Sequence, residues 1–336
     1  MPARNIKSIY KALKPLGLDK KFINELLLPD WWTEEVLHTE IGYIQTLSII
    51  SKNLGVNLKD LLKDDIKINL RDSHTIKFKT SRNIQLEKNT FWIQSLSSRI
   101  IEILDISYNC SEKKFKFIND INELRDFLIE KYKIINLENI LNYLWNTGIP
   151  VIYISEFPKE LYKMDGMVIN TEKMPIITIS KNRKHDAWLL FVILHELGHY
   201  IKNHLNADNN IVFDDDLLFN VNDKEEEEAN EVALYLITGY KKPNLIQQRI
   251  DSAFRLVSLC RSLSTELNSD PGTIALNYAF HFNNYAIAEQ TLNILEPNNN
   301  AISKIKNNMI EYLDLNLLSD ENREYLINIS DLSTLK

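Results

Sequence analysis

The stretch AWLLFVILHELGHYIKNH, residues 187–204, decides how this chain reads. It opens with the uncharged apolar run AWLLFVIL and then places His195-Glu196-Leu197-Gly198-His199 on the same segment. The run is far short of the roughly 20 residues a membrane span needs, so it predicts a buried helix from about Asp186 to His204. Two histidines four apart share one helix face, where both imidazoles can grip one Zn²⁺. Glu196, one position on, reaches water at the metal rather than the metal. Such water has its pKa lowered towards about 7, and a carboxylate can take its proton. Seven histidines and 25 glutamates in 336 residues give about 0.01 chance matches to HExxH. The competing reading is a structural histidine pair inside a buried helix. Zinc is the better reading.

A catalytic zinc site has three protein ligands and an open position. The source expected for the third is KEEEEANEVALYLI, residues 224–237. Four consecutive glutamates also suit a solvated helix N-terminus. The positions differ, however: Glu226, Ala229, Asn230, Ala233 and Ile237 form one stripe. Its alanines allow a close approach to the HExxH helix. Glu226 is then aimed at the metal in preference to its neighbours, and Asn230 can hydrogen-bond a ligating imidazole. Glu225 and Glu228 are expected to face elsewhere.

Working outward, GIPVIYIS (148–155) and MPIITIS (174–180) are β-rich runs bounded by Gly, Pro and Asp165-Gly166. A second helix is expected from near Asp223 to Thr238, ended by Gly239. Residues 243–336 read as helices broken at Asp270-Pro271-Gly272 and Glu296-Pro297-Asn298. Upstream, 88–107 and 119–147 have helical spacing and HTIKFKT (74–80) alternates like a strand. In 41–64, Ile41, Ile44, Leu47, Ile50 and Leu54 recur at helical spacing, Gly55 suits a C-cap and Asn57 an N-cap. That segment faintly resembles two helices of a helix-turn-helix domain; a small helical packing module is the plainer reading. The expected class is α+β, predominantly α-helical. The expected division is a helical region at 1–135, a core carrying the zinc site at 136–242 and a helical region at 243–336.

Composition excludes several functions. Glycine is scarce, 8 of 336, and no Gly-rich phosphate loop is present, so a nucleotide-driven enzyme is not expected. Cys110 and Cys260 are too few for a disulfide framework or a thiolate zinc cluster. The N-terminus has no apolar signal region, so a cytoplasmic protein is expected. Net charge is −7, and residues 1–90 carry 15 basic against 11 acidic residues without a basic cluster. That mild excess gives no nucleic-acid footprint.

GIPV at 148–151, MDG at 164–166, PIITIS, HELGH and the ExxANxxA of 226–233 together resemble the ImmA/IrrE metallo-endopeptidases. The resemblance covers roughly 140–240, and extends loosely to DPGTIALNYA (270–279) and LPDWW (28–32). It implies a zincin-like core with a small sheet, flanked by helical regions. It also implies His195, His199 and Glu226 as zinc ligands and Glu196 as general base. The partner it implies is a protein substrate, a helix-turn-helix repressor or an antitoxin, whose cleavage switches gene expression in a stress, phage or mobile-element response. Val232 stands where the family usually has Phe, a packing change. His204 reads as an exposed or packing histidine at a helix end, and His185 as a residue that could line the cleft.

The leading function is therefore a zinc endopeptidase whose substrate pairs with the strand at 174–180. Two alternatives stay open. One is a metallopeptidase-like module that sequesters the repressor or antitoxin uncut. The other is a DNA-associated sensor-regulator, which salt-dependent duplex binding would reveal.

Overall fold

A computed structural model describes residues 6–71, 78–80, 86–109, 114–161, 163–205, 211–214, 224–298 and 300–335. In chain order its helices begin with α1 (Ile6–Leu13), α2 (Lys20–Phe22), α3 (Glu40–Asn53), α4 (Leu58–Leu61), α5 (Leu86–Ser107), α6 (Ile121–Tyr132) and α7 (Leu137–Thr147). There follow α8 (Asp186–Ile201), α9 (Lys224–Thr238), α10 (Ala253–Leu267), α11 (Pro271–Phe282), α12 (Tyr285–Leu295), α13 (Ala301–Tyr312) and α14 (Asp320–Ser330). The strands are β1 (Phe78–Thr80), β2 (Val151–Tyr153), β3 (Gly166–Asn170), β4 (Pro175–Ile179) and β5 (Ile211–Asp214). The α+β, predominantly helical class is borne out. Among the described residues no helix is long and apolar enough to cross a membrane.

Contacts divide the chain into two units that interleave along the sequence. One joins Met1–Asn109, Ile154–Lys163 and Leu313–Lys336; the other joins Cys110–Tyr153 and Met164–Tyr312. In the first unit, Arg99 of α5 is buried and its guanidinium is satisfied by Asn53, Glu102 and Asn322. These bonds tie α3, α5 and α14 together at a charge that would otherwise be costly to bury. Leu47, Ile50 and Leu54 are buried as their spacing predicts, whereas Ile41 and Ile44 are exposed. Gly55 adopts φ +62° after α3, the left-handed conformation a C-terminal glycine supplies. Asn57 precedes α4 without a side-chain cap bond. α4 is a single turn, much shorter than a helix that fills a major groove.

The second unit carries the sheet. Its four strands lie in the order β5-β3-β4-β2. β2 runs parallel to β4, with Val151 opposite Ile177, while β3 is antiparallel to both β4 and β5. β2 and most of β4 are buried on both faces, which explains their unbroken apolar sequences. β3 begins at Gly166, so Asp165-Gly166 starts a strand rather than making a turn. Asp165 is held there by Lys181 at 2.7 Å and Arg183 at 3.0 Å. The strand at 174–180 is hydrogen-bonded on both sides. Its backbone is spent within the sheet, which overturns the expectation that a substrate pairs with it.

α8 packs against β3, β4, α9 and α11, and a helix enclosed on nearly every side must be apolar all round. Leu189, Leu190, Val192 and Ile193 are all buried. Its start is anchored by α11: the Asp270 carboxylate caps that helix through Gly272 N–H and Thr273 N–H. A Cβ at Gly272 would meet Ala187 Cβ at 2.9 Å, so the glycine of the Asp-Pro-Gly sequence permits the close approach. Glu296 Oε2 accepts from Asp186 N–H at 2.5 Å. Burial pushes the Asp270 carboxyl up to about 6 and that of Glu296 up to about 8.

Candidate metal centre

His195, Glu196 and His199 have no exposed surface, although they sit in the middle of an apolar helix. Buried polar groups of this kind persist only with partners, and those of the two histidines come largely from α9. Gly198 of α8 faces the backbone of Ala229, where a Cβ would lie 2.8 Å from the carbonyl oxygen. This is the close approach that the small residues of the α9 stripe predict. It brings Glu226 alongside the histidine pair. His195 Nε2 and His199 Nε2 are 3.0 Å apart, and the Glu226 carboxylate lies 3.4 Å from the first and 3.7 Å from the second. One ligand atom from each residue falls within 4.8 Å of the others.

The tautomers follow from the bonds on the far side of each ring. His195 Nδ1 is 2.9 Å from Asn230 Oδ1, an acceptor, so that nitrogen donates. His204 Nε2 is 3.1 Å from Glu228 Oε2 and donates to it. The hydrogen bond from His204 holds the Glu228 carboxyl below its ordinary value. His204 Nδ1 is then left to accept from His199 Nδ1–H across 2.8 Å. Both Nε2 atoms accordingly keep their lone pairs, and three acceptors converge. That arrangement suits a cation, and the two-nitrogen, one-carboxylate donor set is one that metals such as zinc take.

Asn230 occupies the supporting position its spacing predicts. The hydrogen bonds of His204 go beyond its sequence reading as an exposed or packing histidine at a helix end. α8 ends at Ile201, Asn203 turns the chain at φ +56°, and His204 N–H returns to the carbonyl of His199. Of its two readings, exposed or packing, His204 shows the second, buried against His199 of the cluster, and Glu228, which lies outside the metal-binding group as expected, faces His204. His185 is buried between Glu289 and Glu296, 3.4 and 3.6 Å away. Ten residues of helix, about 15 Å, separate it from His195, so it stands outside the cluster. Glu196 faces β3, where a Cβ on Gly166 would lie 2.4 Å from its Oε1. The role of this glycine was hidden in the sequence, because the contact joins residues thirty positions apart.

Residues 147–260 match the Peptidase_M78 family, the IrrE N-terminal-like domain. The resemblance to ImmA/IrrE proteins is borne out over that stretch, about a third of the chain. No curated protein and no solved structure gives a match. The IrrE N-terminal-like domain spans β2 to the first part of α10 and so contains every residue of the converging group. Its function is metallopeptidase-like, and His195, His199 and Glu226 form a group able to hold a metal ion.

The far-side bonds carry a prediction. His204→Ala is expected to weaken zinc binding by about 10–100-fold, the usual loss when a ligand's supporting partner is removed. His204→Gln should recover part of it, because an amide can accept from His199 and donate to Glu228. Competition with a chromogenic chelator measures both, and unchanged affinity in His204→Ala would show that this bond does not tune the ligand.

Proposed function

We propose that this chain is a zinc-dependent endopeptidase that hydrolyses a peptide bond in a protein partner. The observation that carries the proposal is the convergence of two buried imidazole lone pairs and the Glu226 carboxylate, with Glu196 on the same helix turn. Two nitrogens and one carboxylate oxygen suit zinc, which when bound supplies Lewis acidity towards the peptide carbonyl and towards water. The rest is work for the chain. Glu196 accepts the proton of the attacking water and returns it to the departing amine. Asn230 and His204 fix the tautomers of His195 and His199, so that each presents Nε2.

The family resemblance supports a helix-turn-helix repressor or an antitoxin as the partner, with cleavage in the cytoplasm switching gene expression. Metal analysis of the purified full chain tests the core of the proposal. About one zinc per chain is expected in the wild type, with loss in both His195→Ala and Glu226→Ala. A wild-type protein that takes up no zinc on reconstitution would sink the endopeptidase and leave a module that sequesters its partner uncut.

A further inference from the structure

A cavity of about 320 Å³ opens beside Asn230, between α8, α9 and α11. Trp188, Phe191, Leu234, Ile237, Leu276 and Phe280 give it an apolar lining. An apolar cavity of about 150 Å³ takes up benzene, so this one has room for a fused two-ring molecule. Phe280 is 62% exposed, so the cavity is reached from solvent. Lys242, which also lines it, is already paired with Glu227 and Glu231. Thr238 Oγ1 donates to the Leu234 carbonyl, Thr273 Oγ1 to the Asp270 carbonyl and His281 Nε2 to the Pro243 carbonyl. Asn277 is bonded to Pro243 and Leu245. The occupant these walls favour is neutral and largely apolar.

Asn230 is the exception among the lining residues. Its Oδ1 accepts from His195 Nδ1–H at 2.9 Å. Its Nδ2 makes no hydrogen bond among the described residues, which leaves amide N–H donors for an acceptor on the occupant. The metal-binding nitrogen of His195 is Nε2, on the other side of the ring, and none of His195, Glu196, His199 and Glu226 lines the cavity. An occupant therefore sits behind a metal ligand rather than in front of the metal. It meets the metal-binding group through the residue that fixes the His195 tautomer. A hydrogen bond to Nδ2 holds the amide with Oδ1 on His195, the orientation that metal binding needs. Occupant and metal then favour each other, by the same factor in both directions.

We infer that this cavity is a regulatory site for a small neutral apolar molecule with a hydrogen-bond acceptor, seated on Asn230 and coupled through it to the metal-binding group. The coupling rests on the zinc reading and the binding does not, so the two are measured separately. Calorimetry on the full chain compares α-tetralone with tetralin, bicyclic probes of one shape that differ in a carbonyl. The ketone is expected to bind about three- to tenfold tighter, from its bond to the Asn230 amide. Asn230→Asp keeps the acceptor for His195 and loses the donors, so that preference should vanish. Leu276→Trp fills the cavity and should abolish binding of both probes; Leu234→Phe serves if that variant misfolds. Competition with a chromogenic chelator should show zinc held about fivefold tighter or better with the ketone present, and no such response in the filled variant. Equal binding of the two probes by the wild type, or no binding of either, would overturn the site. Zinc affinity that ignores a bound ketone would overturn its regulatory role. A chain that prefers the ketone yet takes up no zinc would sink the zinc reading and the coupling together, with the ligand class of the cavity left standing.

Discussion

Replacing Glu196 with Gln is expected to lower cleavage of the partner protein by about 10²–10⁴-fold, the range attributed to a positioned acid–base group. Zinc content should stay at the wild-type level, because the metal is assigned to His195, His199 and Glu226 and not to Glu196. The amide is isosteric with the carboxylate, so the fold has no reason to change. Full activity in Glu196→Gln would remove this residue from the mechanism. Gly166→Ala reaches the same carboxylate from the sheet. The added Cβ would lie 2.4 Å from Glu196 Oε1 and 2.9 Å from both Glu196 Cγ and Val192 Cγ1. Glu196 is fully buried, so its carboxylate has no solvent into which to retreat and must rotate against packed neighbours. The variant should therefore keep its zinc and lose most of its cleavage. Wild-type activity in Gly166→Ala would mean that the carboxylate works equally well from a displaced position.

The two variants also mark what could be read from the chain alone. His195, Glu196 and His199 were legible because a helix of known period fixes the face each residue takes. Glu226 and Asn230 were legible for the same reason, on a second helix whose small residues announced a close neighbour. His204 was not, because the helix ends before it. The left-handed turn at Asn203 brings the histidine back against His199, a geometry that helical spacing does not encode. β4 is legible as a strand from its β-rich run, but composition does not reveal how many neighbours a strand has. Its parallel partner β2 arrives from more than twenty residues upstream, and that pairing removes the free edge expected for substrate. The association of residues 313–336 with 1–109 was likewise out of reach. It depends on contacts such as that between Arg99 and Asn322, far apart in sequence.

Gly198→Ala sets two principles against each other, and the sign of its effect decides between them. On helix propensity alone, alanine in place of glycine in a helix interior should stabilise by about 1 kcal/mol. Here the new Cβ would lie 2.8 Å from the Ala229 carbonyl oxygen and 2.9 Å from its Cα. Both are backbone atoms of α9, so no rotamer change relieves the overlap and the two helices must part. Overpacking of this kind costs about 1–3 kcal/mol or more, which outweighs the propensity gain. We expect the metal-free variant to melt several degrees below the wild type, at roughly 2–4 °C per kcal/mol for a unit of this size. Ala229→Gly should not rescue it, since the clash is with main-chain atoms that glycine also carries. The same parting moves Glu226 away from His195 and His199, so zinc affinity should fall together with stability. A melting temperature above the wild type would mean that α8 and α9 have slack at this crossing, and that Gly198 is not what brings Glu226 to the histidines.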